Sequence, residues 1–364
     1  MKIMFVVGEA YLPQMTGGAQ STVHELALDA LARGHEVSVL AGLSEVGWIG
    51  VKNRALMKLT GRKMFRDDVM KYPVYRRWFT WEDVEQSVAL VRPDVAVLQI
   101  GKPVVTAAQL VSLGVPVSFF FQDVEFQFLG GDPSTIKQAS YISNSLFTAR
   151  RVREAFGLDS VVIRPLMHAD RYTVPPHERA PQVVTFVNPT EWKGRDLAFE
   201  IAKHCPEIPF EFVEGWPLKR PYWNELVERV RQLPNVSLRR RTHNMKEVYM
   251  RSKIVLVPSN WEEAWGRMAS EAHYSGIPVV GSKRGGLPEA IGPGGIVVDL
   301  HAPIDEWTSA IRRLWTDPKF YAEKSAAALE YSKRPELDRN SQIDAFLAVL
   351  ADTATRRQRL VAGS

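Results

Sequence analysis

The sequence has a single cysteine, Cys205, among its 364 residues, so no disulfide bond can form within the chain. A lone cysteine is typical of proteins that work in a reducing compartment. The sequence also has no run of about 18 apolar residues, the length that a helix needs to cross a bilayer. The apolar run at residues 3–7 is too short for a secretory signal, and Glu9 follows it closely. We therefore expect a cytoplasmic protein.

Neither sign of charge dominates, since the net charge is +5. That surplus fits solvated lysines and arginines as well as attraction to phosphates or to an anionic membrane surface. Six basic residues fall in the stretch 52–66, interleaved with leucine and methionine: Lys52, Arg54, Lys58, Arg62, Lys63 and Arg66. Such a stretch predicts either a peripheral contact with the inner face of a membrane or, alternatively, a solvated helix or acceptor-side loop.

Short apolar runs alternate with helical spacing in two stretches of the chain, and this alternation predicts parallel β-α-β units. In the first stretch, strands are predicted at 3–7, 36–41, 94–98 and 115–121. In the second, they are predicted at 183–187, 210–213, 237–239, 254–257, 279–281 and 296–298. The proline-rich segment between them predicts a linker over 166–182. The sequence therefore predicts an α/β protein with Rossmann-like domains over 1–165 and 183–339.

A glycine pair, Gly17 and Gly18, stands between the first predicted strand and the first predicted helix. Glycines here let the backbone approach a ligand, and the amino end of a helix attracts phosphate. The alternative is a plain turn. The G-x-G-x-x-G spacing of dinucleotide-binding domains is missing, which disfavours a nicotinamide-dependent dehydrogenase.

The segment 258–272 carries the most specific pattern, because two glutamates surround the start of a helix that follows a strand. Glu263 is predicted in the loop, and Glu271 is predicted inside the helix. Both are expected at the carboxyl ends of the strands, where open α/β sheets bind ligands, and paired carboxylates suit sugar and ribose hydroxyls. The amides of Ala264, Trp265 and Gly266 are candidates for phosphate binding, and Arg267 is placed to pair with Glu271.

Two more loops follow predicted strands and carry cations beside glycines. One contains Arg284, Gly285 and Gly286, and the other contains Lys193. Glycines with cations suit a phosphate group, and a lysine neutralises a diphosphate as a point charge. Taken singly, each loop is equally compatible with a solvated turn.

Together these motifs resemble the retaining glycosyltransferases of family four, which have the GT-B fold. The resemblance implies two Rossmann-like domains whose parallel sheets face each other across a cleft. It also implies a last helix, about 340–364, that returns to the first domain. It implies that Glu263 binds the transferred sugar and Glu271 the ribose, and that Lys193 contacts the donor diphosphate together with Gly17 and Gly18.

The sequence departs from the family pattern at two positions. Asn188 stands where the family has an arginine, and Gln122 stands where the family often has a histidine near the transferred sugar. Gln122 can donate a hydrogen bond but cannot carry a proton. Arg267, Arg195 and Arg284 are the candidates to replace the lost charge.

The sequence therefore predicts an enzyme that moves a sugar from a nucleotide diphosphate sugar to a hydroxyl of a glycan, glycolipid or small molecule. Glu263, Lys193 and Gln122 are the predicted catalytic residues. Residues predicted to bind the donor are Gly17, Gly18, Asn188, Lys193, Ala264, Trp265, Gly266, Arg267, Glu271, Arg284, Gly285 and Gly286. No metal, other cofactor or nucleic acid is expected. The alternative is a sugar-nucleotide-binding protein without transfer activity.

Overall fold

The computed structural model describes residues 1–361 and the side chains of residues 1–356. The chain divides into two compact units. Unit 1 consists of residues 1–166 together with the chain from Asp338 onward, and unit 2 consists of residues 167–337. Residues 362–364 of the predicted last helix lie outside the described residues.

Unit 1 is built on an eight-stranded sheet. Its strands are β1 (Lys2–Ala10), β2 (Glu36–Gly42), β3 (Phe65–Asp67), β4 (Val74–Arg77), β5 (Val95–Leu98), β6 (Val117–Phe121), β7 (Ser140–Ser143) and β8 (Val161–Val162). Its first helices are α1 (Gly18–Ala32), α2 (Gly47–Thr60), α3 (Val84–Val91), α4 (Pro103–Ser112) and α5 (Leu146–Phe156). The strand order is β3-β4-β2-β1-β5-β6-β7-β8, and every pair is parallel except β3 with β4.

The central strand of unit 1 reads as a continuous apolar run because helices cover both faces of a parallel sheet. In β1, residues 3–7 are all buried. After α1 the chain turns at Gly34, whose φ of 79° favours glycine. The alternation that predicted parallel β-α-β units thus reflects two-sided burial.

Unit 2 is built on a six-stranded parallel sheet. Its strands are β9 (Val183–Val187), β10 (Phe210–Val213), β11 (Val236–Arg239), β12 (Ser252–Val257), β13 (Val279–Ser282) and β14 (Gly295–Val298). Its helices are α6 (Arg195–His204), α7 (Arg220–Arg231), α8 (Lys246–Arg251), α9 (Arg267–His273), α10 (Leu287–Ile291), α11 (Ile304–Thr316) and α12 (Pro318–Ser332). The strand order β11-β10-β9-β12-β13-β14 reverses between β9 and β12, where doubly wound sheets bind ligands.

The last helix, α13 (Arg339–Val361), packs on unit 1. The ring of Phe346 lies parallel to that of Phe5, with 6.1 Å between centroids. Arg339 pairs with Asp29 of α1 at 2.8 Å. None of the described helices combines the length and apolar character of a membrane span.

The segment predicted as a linker over 166–182 is mostly part of unit 2. Val174 is buried there, and its N–H donates to Ser275 Oγ at 2.9 Å. The N–H groups of Ala180 and Gln182 donate to the carbonyls of Met250 and Arg251. The segment contains two short 3-10 helices, Ala169–Arg171 and Pro176–Glu178, and the hydrogen bonds above join it to unit 2.

Candidate functional site

The candidate residues of unit 2 follow three adjacent parallel strands. Lys193 comes after β9, Glu263 comes after β12, and Gly285 and Gly286 come after β13. Since the carboxyl ends of parallel strands share one edge of the sheet, the fold brings these loops together. The β9–β12 neighbours are also the pair at which the strand order reverses.

The centre of this edge is an ion pair between Lys193 and Glu263. The lysine Nζ lies 2.5 Å from the glutamate Oε1. The two side chains are 22% and 16% exposed, so the pair is accessible but largely shielded from bulk water. Ser259 Oγ donates to the same Glu263 oxygen at 3.0 Å, and Ser282 Oγ donates to the Ser259 carbonyl at 2.7 Å. Sequence reasoning missed these two serines, although both stand inside the motifs that it used.

The β9 loop is locked onto the β12 loop by its backbone. The Trp192 carbonyl accepts hydrogen bonds from the N–H groups of Asn260 and Trp261, both at 3.1 Å. Gly194 has a φ of 81°, and a Cβ atom there would lie 1.8 Å from the Pro258 carbonyl oxygen. Only glycine fits this contact, which holds the neighbouring Lys193 beside the β12 loop.

The β13 loop packs directly against the backbone of Glu263. The Gly286 N–H donates to the Glu263 carbonyl at 2.5 Å. Gly285 has a φ of 58°, and a Cβ atom there would lie 2.2 Å from the same carbonyl oxygen. These two glycines therefore position Glu263. Arg284 beside them has a buried Nε atom without a hydrogen-bond partner among the described residues.

Glu271 lies inside unit 2, and the Tyr249 hydroxyl donates to its Oε2 at 2.9 Å. Arg267 Nε lies 3.6 Å from its other oxygen, as the spacing of four residues predicted. Burial raises the pKa of the Glu271 carboxyl, while Arg267 and the hydrogen bond from Tyr249 act in the opposite direction. Neither Glu263 nor Glu271 points to bulk solvent.

The start of α9, which carries Glu271, is shaped by two residues of the predicted donor-binding set. Gly266 precedes the helix with a φ of 104°. Trp265 is buried, and its Nε1 donates to Ser270 Oγ at 3.1 Å. With Ala264, these residues form the turn that carries the chain from Glu263 into α9.

Asn188, which stands at the family's arginine position, adopts a φ of 65° directly after β9. Its side chain is buried, and its Oδ1 accepts a hydrogen bond from the Trp216 N–H at 3.3 Å. Asn188 therefore binds the loop that follows β10. This contact joins residues 28 positions apart, so no local pattern could reveal it.

Arg195, one of the three candidates to replace the lost charge, is occupied within unit 2. Its guanidinium lies 3.0 Å from Glu225, 3.2 Å from Asp196 and 3.5 Å from Glu191. It also lies over the Tyr222 ring, 5.1 Å from the centroid. Three carboxylates already balance this cation. Arg267 is paired with Glu271, so Arg284 is the candidate that remains.

In unit 1, Gly17 and Gly18 lie at the amino end of α1, as their position in the sequence predicted. Gln122 follows β6, and its Nε2 donates to Oε1 of the buried Gln99, which follows β5. The Gln99 Nε2 is buried and has no partner among the described side chains. Two neighbouring strands thus end in paired amides.

Carboxylates lie close to this amide pair. Desolvation by burial raises the pKa of Asp123, the residue after Gln122. The pKa of Glu9 at the end of β1 is raised by desolvation and by the negative charge of Asp123. Sequence reasoning gave neither acid a role in a site, although each lies two residues after an apolar run. Within residues 1–361, no group of three or more His, Cys, Asp or Glu side chains is arranged to hold a metal ion.

The segment that contains Lys193 and Glu263 is similar to a known protein family. Residues 191–334 match the family model described as glycosyl transferases group 1. A D-inositol 3-phosphate glycosyltransferase of Corynebacterium diphtheriae is 40% identical over 87 residues, 23% of this chain and 20% of the relative. Its counterpart in Rhodococcus erythropolis is 28% identical over 221 residues, 53% of this chain and 49% of the relative. The chain thus matches only about a fifth to a half of the length of these relatives.

Among solved structures, Anabaena HepE in complex with UDP has a TM-score of 0.75 and 19% identity, covering 97% of this chain and 100% of that chain. The same protein with UDP-glucose has a TM-score of 0.71 and 19% identity, covering 95% and 99%. At this identity the likeness concerns the fold. The predictions of two parallel-sheet α/β domains of the GT-B class and of a group 1 glycosyltransferase resemblance are confirmed.

Proposed function

We propose that this chain, whose residues 191–334 match the glycosyl transferases group 1 model, transfers a sugar from a nucleotide diphosphate sugar to an acceptor hydroxyl with retention of anomeric configuration. The observation that carries the proposal is the Lys193–Glu263 ion pair, 2.5 Å long, at the edge of the unit 2 sheet. A cation and a carboxylate that lie together where the strand order reverses can bind the diphosphate and the sugar of such a donor, respectively.

In this proposal Lys193 and Glu263 bind different parts of the donor. Lys193 turns to the diphosphate, on which negative charge develops as the bond to the anomeric carbon breaks. Glu263 then accepts hydrogen bonds from hydroxyls of the transferred sugar, while Ser259 fixes its orientation. Preorganised charges directed at the leaving group are usually the largest catalytic contribution, so this arrangement favours transfer. We further propose that Lys193 and Arg284 neutralise the diphosphate without a metal ion.

Glu271 is proposed to bind the ribose. A carboxylate held by Tyr249 and Arg267 keeps lone pairs for two vicinal hydroxyls and cannot swing away. The turn from Ala264 to Gly266 and the glycines Gly17 and Gly18 remain predicted contacts of the diphosphate. UDP is the first nucleotide to test, because the Anabaena neighbour was solved with it.

The acceptor is proposed to bind at the amide and carboxylate edge of unit 1. Gln122 and the orphaned Nε2 of Gln99 can donate to acceptor oxygens, while Asp123 can accept from an acceptor hydroxyl. Gln122 is thus a hydrogen-bonding residue in this proposal and carries no proton. A hydroxyl-rich acceptor matches these groups.

Peripheral contact with an anionic membrane is proposed through the outward face of α2 in the basic stretch 52–66. The helix packs on unit 1 through Ile49, Gly50 and Asn53, yet Trp48 and Leu59 are 71% and 82% exposed. Exposed apolar groups among lysines and arginines suit a headgroup layer. Together with the lone cysteine, the proposed contact favours a protein that acts at the cytoplasmic face of a membrane.

Vesicle cosedimentation tests the membrane contact. The protein is expected to sediment with vesicles that contain about a third anionic lipid, at low salt, and not with neutral vesicles. The Trp48→Ala/Leu59→Ser variant should remain in the supernatant. Equal sedimentation of parent and variant would contradict a role for this face.

The proposed reaction is tested with a panel of UDP-, GDP-, ADP- and TDP-sugars. The donor is expected to raise the melting temperature, because a ligand that binds the folded state stabilises it by mass action. Release of the nucleoside diphosphate in the presence of a sugar acceptor then reports transfer. Tight donor binding without release or transfer would favour the alternative, a sugar-nucleotide-binding protein.

A further inference from the structure

Trp216 is a half-exposed indole at the same sheet edge, and no step of the proposed reaction uses it. It follows β10, the strand beside β9 on the side away from β12. Its residue is 44% exposed, and Lys193 Nζ lies 5.5 Å from the ring centroid. A large aromatic ring left in water beside a charged site commonly marks a binding surface.

The loop that carries Trp216 is fixed on two sides. Asn188 Oδ1 accepts the hydrogen bond from its N–H. The adjacent Glu214 accepts from the Leu218 N–H at 2.9 Å with one oxygen and from the Arg241 N–H at 3.2 Å with the other. The indole is therefore presented by an ordered backbone, as a preformed binding surface requires.

Gly215 allows a close contact between the loop that carries Trp216 and the loop that follows β9. A Cβ atom at this position would lie 2.8 Å from the Cβ of Asn188, so the β9 and β10 loops touch directly here. Asn188, at the departure from the family pattern, thus acquires a role of its own. It sets the position of the β10 loop next to Lys193.

The order of the strands places Trp216 beside the proposed diphosphate contact. Across the edge, Trp216 follows β10, Lys193 follows β9 and Glu263 follows β12. If the diphosphate lies at Lys193 and the ribose at Glu271, the base is the part of the donor that no residue named so far contacts, and the Trp216 ring lies 5.5 Å from Lys193 Nζ. The group that would meet Trp216 is then the base, a flat aromatic ring.

We infer that Trp216 is the surface on which the base of the nucleotide donor stacks. The inference rests on the proposed function and names a residue that contributes to nucleotide affinity. Stacking on an aromatic side chain tolerates different bases, because every base has a π face. Trp216 accordingly raises affinity for the nucleotide, while selection among bases depends on other contacts.

Binding of UDP and of inorganic pyrophosphate separates stacking from an indirect effect on Lys193. We expect Trp216→Ala to raise the Kd of UDP by about tenfold or more, since stacking on aromatic side chains contributes at this level. The Kd of pyrophosphate should stay within about twofold, because it has no base to stack. Trp216→Phe should retain most of the UDP affinity. Trp78→Ala, at a partly exposed tryptophan of unit 1, is the matched control and should bind UDP as the parent does.

Equal weakening of UDP and pyrophosphate in Trp216→Ala would overturn the inference, because Trp216 would then act only through Lys193. Unchanged UDP affinity would overturn it as well. In both cases the parent still binds UDP, so the proposed function survives. A parent that binds neither pyrophosphate nor any of UDP, GDP, ADP and TDP contradicts the proposed function, and the inference falls with it.

Discussion

The two units place very different chemistry on the same structural feature, the carboxyl edge of a parallel sheet. In unit 2 the edge holds an ion pair, Lys193 with Glu263, and a second cation, Arg284. In unit 1 the corresponding edge holds an amide pair, Gln122 with Gln99, beside the carboxyl of Asp123. Shared topology therefore does not fix function, which resides in the residues that follow each strand.

The difference is also electrostatic. At the unit 2 edge Lys193 and Arg284 stand beside the single carboxylate of Glu263, and we propose that these two cations attract the diphosphate of a donor. At the unit 1 edge, burial raises the pKa of both Asp123 and Glu9, and the negative charge of Asp123 raises the pKa of Glu9 further. A poorly solvated edge that holds carboxyl groups disfavours the binding of a phosphate group and favours neutral hydroxyls. The proposed function therefore places the main donor contacts at the unit 2 edge and the acceptor at the unit 1 edge, and variants of each edge test this proposal.

The largest effect is expected at Glu263. Glu263→Gln should lower the turnover number by about 100- to 1,000-fold, because it removes a charge directed at the reacting sugar. The melting temperature should change little. Steady-state transfer assays check this, with the neighbouring Glu262→Gln as control. Turnover within about twofold of the parent would remove Glu263 from the reaction.

Lys193→Ala should weaken UDP binding by about 30-fold, which corresponds to about 2 kcal/mol for a charge-assisted contact. The affinity for the acceptor should remain that of the parent, because the acceptor is assigned to unit 1. Isothermal titration with UDP gives the result. The control is Lys203→Ala, at an exposed lysine paired with Glu200 on α6. If both lysine variants bind UDP like the parent, the diphosphate lies elsewhere.

The two units should also respond differently to acid. Burial lowers the pKa of His273 in unit 2 from 6.5 to about 3, so this histidine is neutral in the folded state. Its contribution to stability is full above pH 6.5 and is lost as the pH falls toward 3. The raised pKa of Asp123 has the opposite effect on stability, because the folded state binds this proton more tightly and gains stability as the pH falls.

Between pH 7.5 and pH 5.0, His273 should cost unit 2 about 2 kcal/mol of unfolding free energy. His273→Gln should remove most of that loss. Hydrogen exchange of the β12 and β13 amides at both pH values measures it locally. The same loss in parent and variant would show that His273 does not control the acid response.

The smallest effect is expected at the unit 1 edge. Asp123→Asn should raise the KM for the acceptor by about tenfold, the loss of one hydrogen bond to a charged group. The KM for the donor should stay the same. Asp159→Asn, at an exposed residue of unit 1, is the control. A change in the donor KM alone would reverse the assignment of the two edges.

The sequence predicted the elements that local pattern determines. β9 and β10 have the predicted bounds, 183–187 and 210–213, because central strands buried on both faces are uninterrupted apolar runs. By contrast, α12 was not predicted, since few of its residues are buried and its apolar residues follow no clear stripe. The turn that holds Glu263 was predicted from the strand before it and the helix after it.

Contacts between distant residues could not be read from the sequence. The pairing of Lys193 with Glu263 joins positions 70 apart, and Asn188 reaches Trp216 across 28. The sequence could place each residue after its own strand, but the order of the strands decides which loops become neighbours. Asn188 is an example, because the contact that accounts for an asparagine at this position, its hydrogen bond with the Trp216 N–H, depends on the neighbouring strand β10.

The most direct test of the central claim is a crystal structure of the protein with UDP. Our account predicts the diphosphate within hydrogen-bond distance of Lys193 Nζ, with the ribose at Glu271. UDP bound at the unit 1 edge, or at unit 2 away from Lys193 and Glu271, would contradict it.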